Sequence, residues 1–258
     1  MKFSLIIHLV KQDLIDRYSG SVLGGLWSFI MPLVNIIIFV LIFSKIMSAK
    51  LGVLNGGFME YGYSIYLVSG ILAWNSFSIL LLRITNIFKE KSGLITKVHM
   101  NLLYLPLYIV ISESIIYFIS MSFFIGFLLM IGYPITKYWL LIPFIYFLQS
   151  TFAYALGLFL ATLSVFIKDI TELIKVIVQL WFWFTPLVYV MNILPEKLQY
   201  WFKFNPMYYI ISAYRDIIIE FKMPDIYVLG VFFISTFFLV LLSSYIFKKL
   251  EKDLRDFM

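Results

Sequence analysis

The sequence contains no cysteine among its 258 residues. That excludes disulfides, thiolate metal centres and a cysteine nucleophile. Charge is scarce as well. Asp, Glu, Lys and Arg together make up 13% of the chain, where a soluble domain carries roughly 25%. No Gly-Lys pair occurs anywhere, so the G-x-x-x-x-G-K-[ST] loop that cradles nucleotide phosphates is absent. There is no G-x-S-x-G elbow, the turn that exposes a serine nucleophile. The two histidines, His8 and His99, lie far apart and outside any metal-ligand spacing. The chain is therefore not expected to be an enzyme, and no catalytic residue, resident metal or cofactor is expected on it. Nucleic acid is not an expected partner. Nor is a cleavable signal peptide: Lys11, Asp13, Asp16 and Arg17 follow a short apolar run with no small-residue cleavage site.

What the chain has in excess is apolar surface, with 62% hydrophobic residues. About 20 consecutive apolar residues cross a bilayer as a helix. Six runs meet that length, at about 26–48, 64–86, 103–131, 139–166, 173–191 and 226–247. The third and fourth exceed a bilayer's need, which predicts tilt or extension beyond it. The expected fold is an all-α integral membrane protein, one transmembrane domain over 1–258. Residues 1–20 precede the first run as an amphipathic interfacial helix. Its apolar stripe is Phe3, Ile6, Ile7, Val10, Leu14 and Tyr18, with Lys11, Gln12, Asp13 and Asp16 elsewhere on the wheel. Asp13 and Asp16 read as a solvated face. Residues 192–225 are too polar to span, yet hold Tyr200, Trp201, Phe202, Phe204, Tyr208, Tyr209 and Tyr214. They read as a re-entrant external hairpin between the fifth and sixth spans, a candidate outer gate, or as a cap packed on the bundle. Irregular backbone at membrane depth must be covered by protein or line a wet cavity.

Basic residues set the orientation. Thirteen fall on the side of the N-terminal segment, the loop near 83–99, the turn at Lys168 and the tail at 248–258. The other side holds seven: Lys45, Lys50, Lys137, Lys197, Lys203, Arg215 and Lys222. The excess predicts both termini on the cytoplasmic face. Within the spans, Glu113 is the one carboxylate that stands out. A carboxylate is costly in lipid and marks either function or a hydrogen bond to a neighbouring helix. With no basic partner evident, a proton relay is not expected. Asn35, Gln149 and Gln179 read as interhelical hydrogen-bonding glue.

One segment is more specific. Arg17-Tyr18-Ser19-Gly20-Ser21-Val22-Leu23-Gly24-Gly25-Leu26-Trp27, followed by Pro32, resembles the R-Y-x-x-S-x-L-G-x-L-W-x-x-x-x-P signature of membrane subunits of ABC polysaccharide exporters. These include the O-antigen (Wzm-type), capsule and teichoic acid permeases, and the O-antigen type is the closest likeness. Lys168-Asp169-Ile170, Gln179, Trp183, Thr185-Pro186 and Tyr189 resemble that family's fifth-helix region. Asn205-Pro206 and Tyr214-Arg215 resemble its returning external hairpin. The family usually has Arg-Asp where this chain has Lys168-Asp169. The resemblance implies a multi-pass permease of the bacterial inner membrane. It implies a homodimer served by two copies of a separate ABC ATPase, which would carry the ATP and magnesium. It also implies a lipid-linked polysaccharide as cargo. The same architecture exporting a teichoic acid, a capsule, a small lipid or a drug is the near alternative. A membrane-embedded glycan-lipid enzyme is the alternative of another class.

The residues admit a mechanical reading. Gly24 and Gly25 permit a turn that no bulkier residue adopts readily, which would set Leu23, Gly24 and Trp27 at the cytoplasmic mouth. Arg17 and Tyr18 lie at headgroup depth, and a guanidinium matches phosphate in a bidentate way. They are candidates to receive the diphosphate end of the cargo, or to anchor the helix to ordinary lipid. Aromatic residues make up 20% of the chain. Their rings stack on sugar faces, which makes Trp181, Trp183, Phe184, Tyr189, Tyr208 and Tyr209 candidates for channel lining or the outer gate. Lys89, Lys91, Leu94 and Ile95, with Lys168 and Asp169, are candidates for coupling to an ATPase; a basic loop held to anionic lipid is the other reading.

Overall fold

The computed structural model describes residues 3–17, 19–51, 61–95 and 101–257, and the side chains of all of these except 3, 43–51, 192 and 256. The described residues form helices and turns, with no strand among them. In chain order the α-helices are α1 (Phe3–Asp16), α2 (Trp27–Leu51), α3 (Gly62–Glu90), α4 (Ser92–Ile95) and α5 (Leu107–Met130). They continue with α6 (Ile142–Phe166), α7 (Ile170–Trp183), α8 (Glu196–Phe202), α9 (Pro206–Ile218) and α10 (Ile226–Asp256).

Five stretches are long and apolar enough to cross a membrane: Gly24–Ile42, Gly62–Glu90, Leu102–Met130, Lys137–Phe166 and Ile226–Arg255. They correspond to five of the six expected spans. The run expected at 173–191 differs. Its helix α7 has 14 residues, about 21 Å at 1.5 Å per residue, short of a ~30 Å hydrocarbon core. Beyond Trp183 the backbone leaves the helix, and residues 184–190 form an irregular turn. Apolar composition set the expected length, but the Thr185-Pro186 step ends the helix first: proline cannot donate into the ladder and disfavours helical backbone before it.

α3 is the hub, with α2, α5, α6, α7 and α9 all packed on it. In its most apolar stretch 78% of residues are buried against protein, against 17% in α2 and 17% in α10. The α3–α6 contact is close because Gly157 lacks a side chain; a Cβ there would lie 2.8 Å from Ile84 Cβ. Small residues permit this approach in lipid, where packing rather than water expulsion holds helices together. Gln149 Nε2 donates to Ala73 O at 2.9 Å across the same interface, the glue role expected of it. α1 turns Ile6, Leu9 and Val10 inward and packs on α5.

Candidate functional site

The last turn of α1 and the end of α10 lie beside the same end of α3, and there four charges meet. Glu113 on α5 is 4% exposed. Its Oε1 accepts from Arg83 Nη1 on α3 at 2.6 Å and from Arg17 Nη2, just past α1. Arg83 Nη2 also donates to Asp13 on α1, and Arg17 Nη2 lies 3.4 Å from Asp13. The cluster is neutral overall, as it must be to sit this deep: an unpaired charge out of water is strongly disfavoured. It corrects three expectations. Glu113 has two cationic partners. Asp13 faces the bundle at 12% exposed and not solvent. Arg83 belongs to α3 and not to the following loop. Glu113 lacked a partner in the sequence because Arg17 and Arg83 stand 96 and 30 residues away.

Above the cluster, α2, α3 and α5 enclose a cavity of about 240 Å³. Its polar lining comes from Arg17, Asn35, Asn75, Ser76, Glu113 and Ser120. Behind its wall Arg17 Nε is buried without a hydrogen-bond partner among the described residues, and Ser76 bonds to the Tyr146 phenol. The segment 19–27 connects Arg17 to Met31 and Pro32 of this lining. Gly24 has φ +49°, a conformation that glycine adopts without strain, and the turn leaves Leu23 43% exposed. Trp27 Nε1 donates to Ser21 Oγ at 2.8 Å, closing the turn on itself. Tyr18 lies outside the described residues. Arg17 commits its Nη2 to the Asp13 and Glu113 carboxylates.

At the opposite end the irregular turn 184–190 is held from several sides. Asn205 caps α9 by accepting from Met207 N at 3.0 Å. The same side chain accepts from Trp181 Nε1 at 2.7 Å and donates to Phe184 O and Thr185 Oγ1 at 2.9 and 2.8 Å. Arg215 on α9 donates to Pro186 O at 2.7 Å and Leu187 O at 3.0 Å. Its guanidinium lies 3.5 Å from the centre of the Tyr66 ring, over Gly70 of α3, where a Cβ would meet Arg215 Nη2 at 2.9 Å. Tyr63 and Tyr66 donate to Val188 O and Tyr189 O at 2.6 and 2.9 Å. Burial pulls the Arg215 guanidinium down to about 10, which leaves it charged at neutral pH. The Tyr189 hydroxyl donates to Trp183 O at 2.5 Å. Just beyond α9, Lys222 reaches Asp216 at 3.3 Å and Glu220 at 2.8 Å. Burial raises the Asp216 carboxyl, and the bond to Glu220 raises Lys222.

Residues 4–219 match the family described as ABC-2 type transporter. The chain belongs to that family. Among curated proteins it is similar to an O-antigen export system permease protein RfbA of Klebsiella pneumoniae, 26% identical over 96% of this chain and 93% of the relative. A protein of the same name from Myxococcus xanthus is 25% identical over 86% of this chain and 82% of the relative.

The ABC-2 match spans both ends of the bundle, and the two outer blocks that carried the resemblance meet in space: Thr185 with Asn205, and Pro186 with Arg215. The aromatic candidates separate by exposure. Trp181 packs edge-on against Trp74 and Phe77 and is half-buried. Trp183 and Phe184 are 59% and 61% exposed. Tyr208 and Tyr209 are half-buried, and Tyr209 donates to Lys203 O at 2.7 Å. Among the coupling candidates, Lys89 donates to Lys168 O at 3.3 Å and Thr171 Oγ1 at 2.8 Å. Lys168 and Asp169 are exposed at the start of α7. Lys91 lies over the Tyr108 ring at 5.7 Å. Ile95 is buried and Leu94 packs on the core, so the apolar side of α4 faces inward, contrary to the docking face expected of it. Asn35 and Gln179 also differ from expectation. They are exposed and make no hydrogen bond to another helix among the described residues. The missed residues are Arg83, Ser76 and Asn75. An arginine 7 residues before the end of α3 was the available signal.

Proposed function

We propose that this chain is the membrane-embedded permease half of an ATP-driven exporter of lipid-linked polysaccharide, of the O-antigen kind. It works as a homodimer with two copies of a separate ABC ATPase docked on the cytoplasmic face. The observation that carries the reading is the near full-length similarity to the O-antigen export permeases. The structure adds physical support. Asn35, Asn75 and Gln179 are exposed on α2, α3 and α7, and α2 and α7 both pack on α3. An unpartnered amide in hydrocarbon costs several kcal/mol. The face of α2 and α3 that carries Asn35 and Asn75 together belongs against a wet passage or a second subunit rather than lipid. In this reading the passage runs between two copies along that face. Leu23, Gly24 and Trp27 stand at its cytoplasmic mouth, with Trp183 and Phe184 near its exit. α1 lies along the inner headgroups, α7 with the 184–190 turn completes a sixth crossing, and α8–α9 form the re-entrant hairpin. The surface of Lys89, Lys168 and Asp169 receives the ATPase.

The test is co-purification of the tagged chain with its ATPase from the native cell, followed by hydrolysis assays with polyprenyl-diphosphate-linked glycan. Glycan-stimulated hydrolysis and a 2:2 complex are expected. A monomeric chain with no ATPase, in cells that display their polysaccharide normally when the chain is deleted, overturns the proposal.

A further inference from the structure

We infer that the cavity between α2, α3 and α5 is a hydrated subsite for the hydroxyl groups of a neutral sugar unit, set off from the lipid diphosphate. The inference rests on the export reading and names what one part of the passage recognises.

Three observations carry it. First, polar side chains from three helices gather on the lining: Asn35 of α2, Asn75 and Ser76 of α3, and Glu113 and Ser120 of α5. A polar group turned toward hydrocarbon is costly, so polar side chains gathered on a cavity wall at membrane depth point to water or a polar ligand. Second, both signs of hydrogen bonding converge. The Asn35 and Asn75 amides are both exposed, and each can donate and accept. The Glu113 carboxylate is an acceptor whose Oε1 takes both arginines. A sugar hydroxyl donates and accepts at once, and amides, a hydroxyl and a carboxylate are the groups that match it. Third, the site is electrically balanced. Asp13 and Glu113 already pair with Arg17 and Arg83, so no cationic surplus remains to hold a phosphate, and the lining carboxylate opposes one. At about 240 Å³ the space holds roughly eight waters at ~30 Å³ each, enough for one sugar ring to displace most of them.

The absence of cysteine makes the test direct. Ile79 lines the cavity and is 44% exposed, but contributes no polar group. The variant Ile79→Cys is reconstituted with its ATPase partner and treated with a membrane-impermeant methanethiosulfonate. Rates are compared with no addition, with polyprenyl diphosphate, and with the same lipid bearing a neutral oligosaccharide. Labelling is expected, slowed at least about fivefold by the glycolipid and unchanged by the sugar-free lipid. Adding Asn75→Leu should abolish that protection while labelling persists. Three results overturn the inference: no labelling, equal protection by the sugar-free lipid, or protection that survives Asn75→Leu. Glycolipid-stimulated hydrolysis by the unmodified complex is measured in parallel. If it is present without protection, the subsite fails and the export reading stands; if it is absent, the export reading itself fails.

Discussion

Replacing Glu113 with Gln changes a neutral cluster of four ionised side chains into one carrying a single net positive charge. Asp13 alone then faces Arg17 and Arg83. Removing one partner from a buried ion pair costs 3–5 kcal/mol, because the other charge is left out of water and uncompensated. The lower end applies here. Asp13 still holds Arg83, and the two arginines are 22% and 23% exposed, so water screens part of the loss. About 3 kcal/mol corresponds to a fall in Tm of roughly 6–12 °C for a chain of this size. Arg17→Gln should cost a similar amount with the opposite sign of surplus charge. The double variant is the decisive measurement. It restores neutrality and keeps the direct Arg83–Asp13 contact, so it should be about 2 kcal/mol more stable than the sum of the singles predicts. Tryptophan-fluorescence melting in nanodiscs, with size-exclusion to check folding, reads all four proteins. A Glu113→Gln protein melting within about 2 °C of the parent refutes the argument. So does a double variant that falls by the simple sum.

Three further outcomes follow from other contacts. Asn205→Ala removes the α9 cap, worth about 1 kcal/mol, and leaves Trp181 Nε1 without its acceptor, a further ~1–3 kcal/mol; the same melting assay should show a loss of about 2–4 kcal/mol, and Asn205→Ser should recover only the cap. Arg215→Lys keeps the charge but loses the fork that grips Pro186 O and Leu187 O together, so export in cells should fall several-fold while dimer assembly, read by cross-linking, is retained. Lys89→Glu breaks the bond to Thr171 and repels the Lys168 carbonyl; hydrolysis by the complex should continue at near its basal rate while its stimulation by glycolipid is lost.

Much of the bundle was readable because lipid imposes long apolar helices, and five of six runs correspond to such helices. The fifth run was misjudged in length because hydropathy does not register where hydrogen bonding stops, and the Thr185-Pro186 break lies inside an apolar stretch. The outer blocks were legible as separate motifs, but not as one assembly, since Asn205 and Thr185 are 20 residues apart and meet only through tertiary packing. The charge cluster was the least legible part. Asp13 and Asp16 sit among polar neighbours on one helix and read as a solvated face, and Arg17 as a headgroup contact. Nothing local distinguishes that face from one turned toward Arg83 and Glu113.

The placement of these contacts gives α3 a particular mechanical position. Near one end it carries Arg83, joined to α1 and α5, and Lys89, joined to the start of α7. Near the other it carries Tyr63 and Tyr66, which hold the carbonyls of the turn that follows α7. Lys89 and Tyr66 are 23 residues apart, about 35 Å along a helix. No proline interrupts α3 between them, and its one Gly/Ser step, Ser69-Gly70, is buried and packed under Arg215 and Leu187. A displacement of the Lys89 end therefore cannot be absorbed locally. It is passed to α7 twice, at its first turn through Thr171 and beyond its last through Val188 and Tyr189. Helix α7 is held at both ends by one rigid neighbour and is otherwise largely exposed along its length. An element so held moves with α3 as a unit, and any force entering at Lys89 reaches the turn beside Trp183 and Phe184 without crossing a flexible joint.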